Sequence, residues 1–145
     1  MANRVAIGVP TEVLVVPDHF GGGLSAEAVA EALLRGLAAS GLPARVCTLD
    51  DPTYITQMRG ARAVITGIGR LDRASLVGTI LSEVATGARQ AGVPCHAVVG
   101  ANVLDLFDLR ILDLQLVVEA DTSIAIEAAG AELGVAIQAE SARGN

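Results

Sequence analysis

The segment PDHFGGGLS, residues 17–25, places a carboxylate (Asp18), an imidazole (His19) and three consecutive glycines (Gly21, Gly22 and Gly23) between an apolar run and a helical one. Aspartate and histidine can hold a cation or move a proton, and a glycine turn opening a helix directs unpaired amides at an anion such as phosphate. A second cluster, TGIGRLD, contributes Thr66, Gly67, Gly69, Arg70 and Asp72, while Asn102 and Asp121 follow two further apolar runs. Phosphate chemistry also needs fixed cations. All ten basic residues are arginine, and lysine is absent from the chain.

Each of these residues also has a structural explanation. Glycines at such a turn can serve only to reverse the chain tightly. Gly67 and Gly69 form a bare G-x-G, which without a third spaced glycine is weak evidence for a dinucleotide. Asp72 precedes RASL, where an aspartate caps a helix more often than it binds a metal; it is the one metal candidate. His19 sits in a turn facing the expected cleft, whereas His96 lies inside a strand and reads as structural. No zinc-ligand spacing is present.

These residues need strands and helices to hold them. SAEAVAEALLRGLAA carries Ala26, Val29, Leu33, Leu34 and Leu37 on one helical stripe, with Ser25 as N-cap and Leu24 closing over Val29. The same signals at LDRASL make Asp72 a cap and bring Leu71 to Leu76. SGLPARVC and AGVPCHAV both end a helix at a glycine, Gly41 and Gly92, before a new strand. Strands are expected at 13–17, at RAVIT ending at Thr66, at AVVG ending at Gly100, and at LQLVVEA ending near Asp121. A last helix covers TSIAIEAAGAELGVAIQAE. NRVAIGVP could add an edge strand, residues 50–61 read as a loop with a short helical piece, and SARGN as a frayed end.

Alternating strands and helices imply an α/β single-domain three-layer sandwich with a mostly parallel sheet, flavodoxin-like or Rossmann-like, over residues 1–145. In such sheets ligands bind beyond the carboxyl ends of the strands, where PDHFGGG, TGIGRLD, GAN and EADTS converge. Composition agrees: 52% of residues are hydrophobic and only 2% aromatic, which suits buried parallel strands of Val, Ile, Leu and Ala. A net charge of −6 with no basic run excludes a nucleic-acid surface. No apolar run reaches the ~18 residues of a membrane span. Two cysteines, Cys47 and Cys95, read as core thiols, and the expected location is cytoplasmic.

The two clusters resemble one family. PDHFGGGLSAEAVAEALLRGL and ARAVITGIGRLDRASLVGTILSEVATGARQAGVPCHAVVG are similar to two blocks of type I glycerate kinases, in the same order, and the resemblance covers about residues 12–140. It implies ATP and Mg2+ as cofactors, glycerate as substrate, and a Rossmann-like domain flanking a cleft with a second, inserted domain. That insertion is expected to be missing here, with residues 50–61 in its place. Pro17, Asp18, Phe20, Gly22, Leu24, Ser25, Gly67, Gly69, Arg70, Leu71, Asp72, Ser75 and Gly78 match the family pattern. Where that pattern has serine, lysine and serine, this chain has His19, Gly21 and Gly23; where it has glutamate, lysine and proline, Ile68, Thr79 and Leu81.

Phosphoryl transfer rests on positioning and on charges that meet the moving group. Losing such contacts costs about 2.7 to 4 kcal/mol each in the transition state. The expectation is a truncated relative, impaired in catalysis, acting as a binding or regulatory module for a small anionic metabolite or nucleotide. The alternatives are a glycerate kinase completed by a partner domain or a homodimer, and a structural interaction domain. The sequence itself requires no cofactor.

Overall fold

The computed structural model describes the backbone of residues 10–143 and the side chains of residues 10–140; the edge strand expected at NRVAIGVP, residues 3–10, lies almost wholly outside them. Five strands alternate with five α-helices among these residues. In chain order they are β1 (Val13–Pro17), α1 (Ala26–Ala39), β2 (Ala44–Val46), α2 (Tyr54–Arg59), β3 (Ala63–Leu71), α3 (Ile80–Ala91), β4 (Cys95–Asn102), α4 (Leu106–Leu112), β5 (Val117–Glu119) and α5 (Ser123–Arg143). A single 3-10 turn, Arg73–Leu76, links β3 to α3.

The sheet is parallel throughout and ordered β2-β1-β3-β4-β5, the flavodoxin-like arrangement. Strand alternation divides the core. Val13, Val15, Ile65 and Val98 pack under α1 and α5, while Leu14, Val16, Val64, Ala97 and Val99 pack under α2, α3 and α4. Both faces are therefore covered, as an apolar parallel sheet requires. No described helix is long and apolar enough to cross a membrane.

Helix boundaries follow the local chemistry. Ser25 accepts from the Ala28 amide and starts α1. The expected helix at LDRASL is only the 3-10 turn. The helix proper begins at Ile80, where Thr79 and Ser82 cap each other's backbone amides. Gly92 ends α3 in the left-handed conformation, at φ 71°. Two strands outrun the expected ends: β3 continues past Thr66 to Leu71 and β4 past Gly100 to Asn102, because each supplies the other's ladder beyond the end of β1. The last helix continues to Arg143, into the segment expected to fray.

Helices α1 and α5 cross with their backbones nearly touching. A Cβ on Gly36 would run into the Glu127 carbonyl, and one on Gly130 would lie 2.9 Å from the Leu33 carbonyl. Side-chain-free positions on both helices set this spacing. Arg35 then reaches Glu127 at 2.8 Å across the exposed rim. From β2 to β3 the chain passes only through a loop and the six-residue α2, so no second domain is inserted there.

Candidate functional site

The carboxyl ends of β1, β3 and β4 form one edge of the molecule, and the first two sequence clusters meet on it. Pro17 ends β1 opposite Gly67, and the Asp18 amide donates to the Gly67 carbonyl at 2.8 Å. The chain then bends over β3, where the Gly69 amide donates to the His19 carbonyl at 3.3 Å. Phe20 lies directly across Gly67 and Gly69. A Cβ on Gly67 would sit 3.1 Å from the Phe20 ring, and one on Gly69 would overlap the Phe20 carbonyl. The G-x-G is thus the seat of Phe20, and the space its missing side chains leave is filled by the chain itself.

The following turn is left-handed at three successive residues, with φ of 76°, 59° and 88° at Gly21, Gly22 and Gly23. Side chains resist this region, which accounts for the glycine run. The turn closes when the Leu24 amide donates to the Gly21 carbonyl at 3.1 Å. Gly22 and Gly23 face solvent, and no atom would meet a Cβ on either. His19 is exposed beside them.

The two aspartates are engaged by the protein. Asp18 Oδ2 accepts from the Ile80 amide at 3.0 Å, and Oδ1 from the His19 amide at 2.7 Å. The carboxylate therefore joins the end of β1 to the amino end of α3, where the helix dipole favours negative charge. Asp72 Oδ1 accepts from the Ser75 amide at 3.2 Å, while Arg70 Nε donates to Oδ2 at 3.3 Å. Ser75 returns the cap to the Asp72 amide at 3.1 Å and donates to the Arg70 carbonyl at 3.0 Å. Arg70 remains largely exposed, at 64% of its side chain.

The other expected site residues lie apart from this edge or are used within it. Thr66 is fully buried in β3, and its hydroxyl has no hydrogen-bond partner among the described residues. Asn102 lies beside Leu71 in the sheet; its amide donates to Glu119 at 2.8 Å, and its side chain accepts from Leu104 at 3.1 Å. Asp121 is exposed, and its neighbour Thr122 caps α5 through the Ala125 amide. Glu119 and the Thr79–Ser82 cap were not singled out from sequence. The spacing of hydroxyls at 79 and 82 before an apolar helix was the available signal for the cap; Glu119 carried none.

Buried titratable groups lie elsewhere. Burial holds His96 below the ordinary histidine range, with Glu140 opposing the shift. Burial also raises Cys95 to about 12 and Tyr54 to about 12, so the thiol stays protonated at neutral pH. Both cysteines are free and buried. No group of three or more metal-ligating side chains occurs among the described residues.

A profile of the glycerate kinase family matches residues 53–139, more than half of the chain. The match covers the Gly67–Asp72 cluster and begins after the Gly21–Gly23 turn. No curated protein matches. Among solved structures, a diflavin flavoprotein from Nostoc sp. is similar at 14% identity and a TM-score of 0.58, over 94% of this chain and 99% of that one. A flavodoxin-like domain from Synechococcus sp. gives 17% and 0.54 over 91% and 99%, and a flavodoxin from the domain Archaea 15% and 0.53 over 88% and 99%. At these identities the likeness is one of fold.

Proposed function

The chain belongs to the glycerate kinase family, and from that premise we propose that it is a binding or regulatory relative, holding a small anion and impaired in moving phosphate. One observation carries the reading: both site carboxylates spend their oxygens on the protein. Asp18 accepts from the Ile80 and His19 amides, and Asp72 from Ser75 and Arg70. Mg2+ demands near-octahedral oxygen coordination and is bound through one or two carboxylates plus substrate phosphates. Both carboxylates here are held in capping geometry, and no group of three metal-ligating side chains occurs among the described residues, so this donor set is poorly arranged for a resident magnesium ion.

The cations tell the same way. The two positions where the family resemblance implies lysine are Gly21 and Thr79, and the Thr79 hydroxyl is committed to the α3 cap. Arg70, beside the β1 loop, is the guanidinium left to meet an anion, with its charge shared with Asp72. A carboxylate or phosphate held by Arg70 and the amides of the glycine turn would bind weakly, because an exposed pair is screened by salt.

Titration of the labelled protein with inorganic phosphate, glycerate and MgATP, followed by amide NMR, tests this reading. The expected result is a salt-sensitive shift of the Gly21–Gly23 amides that Arg70→Ala weakens. Amides of the turn unmoved by all three ligands would contradict it.

A further inference from the structure

We propose that α4 is a self-association surface, on which two copies pair antiparallel about a two-fold axis near Phe107. Helix α4 buries Leu112 and presents the opposite side to solvent: Leu106 is 77% exposed, Phe107 74% and Ile111 52%. Val103 and Leu116 continue the apolar surface on either side, at 53% and 43% exposure. The chain has only three aromatic residues. Tyr54 is buried and Phe20 seated on β3, so Phe107 alone is turned outward.

The area suits a partner of this kind. These five side chains expose on the order of 500 Å² of apolar surface, at the upper end of what monomers tolerate, and with a polar rim they approach the ~800 Å² per partner of a stable interface. A groove of about 430 Å³ runs beside the helix, lined by Leu106, Leu109, Arg110 and Val117 among others, and gives facing side chains room to enter. Strand β5 next to it is an edge of only three residues, too short to recruit a foreign strand.

Charge selects a second copy of this chain as occupant. Arg110 stands one turn after Phe107 and makes no ion pair among the described residues. Asp108 lies in the first turn of the same helix, and Asp105 before it caps the helix by accepting from the Asp108 amide at 2.8 Å. Antiparallel pairing carries Arg110 of each copy toward the acidic amino end of the other helix, giving two equivalent pairs from one surface, as an isologous contact requires. The opposed helix dipoles favour the same arrangement.

Sedimentation velocity of the full chain over a wide concentration range tests the proposal. Wild type is expected to reach twice the monomer mass, whereas Phe107→Asp and Arg110→Glu each remain monomeric with the wild-type circular dichroism spectrum. Val135→Asp, an exposed apolar position on α5 at 62%, serves as control and is expected to dimerise normally. Monomeric wild type at all concentrations, or a dimer that survives Phe107→Asp, would overturn it.

Discussion

Asp18 illustrates how a side chain suited to catalysis can be used for architecture. Its carboxylate accepts the Ile80 amide from 62 residues away and so sets where α3 meets the sheet. Asp18→Ala is expected to destabilise the protein by about 1 kcal/mol, the ordinary value of a helix cap, in urea unfolding; an unchanged midpoint would show the bond to be idle. Asp72→Asn keeps a cap acceptor and releases the Arg70 charge from its pair, so phosphate affinity measured by calorimetry should be retained or rise; a fall would show that Asp72 itself holds a metal-bridged ligand. His96 gives a pH signature. It is 2% exposed, neither ring nitrogen has a hydrogen-bond partner among the described residues, and it shares a small cavity of about 30 Å³ with Arg62 and Glu140. Its folded pKa is lowered, mainly by burial and against the opposing charge of Glu140. Above the unfolded pKa of about 6.5 the ring is neutral in both states and contributes nothing. Below it the unfolded chain takes up the proton first, so stability falls with pH until the folded pKa is passed. Urea midpoints from pH 7.5 to 5 should therefore decline less steeply in His96→Leu than in wild type.

The elements were legible where one local signal decides them. Ser25 marks the start of α1, and Gly41 and Gly92 adopt the left-handed conformation expected of them, at φ 84° and 71°. The apolar runs separate cleanly into strands, and the free, buried state of both cysteines matches their apolar setting. What escaped depends on partners distant in sequence. Helix α4 was not anticipated, because Leu106, Phe107 and Ile111 leave no buried stripe to read. The strand order was open, since pairing of β3 with both β1 and β4 leaves no mark in either run. The seat of Phe20 on Gly67 and Gly69 was equally hidden, so both glycines stood among the ligand-binding candidates although the bare G-x-G was weak evidence for a dinucleotide. The α1–α5 crossing gives a test in which tertiary contact reverses local preference. Gly36→Ala would stabilise an isolated helix by about 1 kcal/mol. Here the new methyl meets the Glu127 carbonyl, and a loss of about 1 to 3 kcal/mol is expected in thermal or urea unfolding. A gain in stability would mean the helices separate at little cost.

At the scale of the whole molecule, the chain carries a glycerate kinase family scaffold, and the proposed loss of phosphate transfer rests on what its polar positions do. The parallel sheet brings the β1 loop and the end of β3 to one edge, as the topology requires. On that edge Phe20 occupies the glycine seat, Asp18 and Asp72 cap helical turns, and the positions where the resemblance implies lysine hold Gly21 and Thr79. Losing such electrostatic contacts costs several powers of ten in rate. The most direct measurement is a coupled assay of the purified chain with glycerate and MgATP. The account predicts no phosphorylation of glycerate above a protein-free control, and sustained turnover proportional to protein concentration would contradict it.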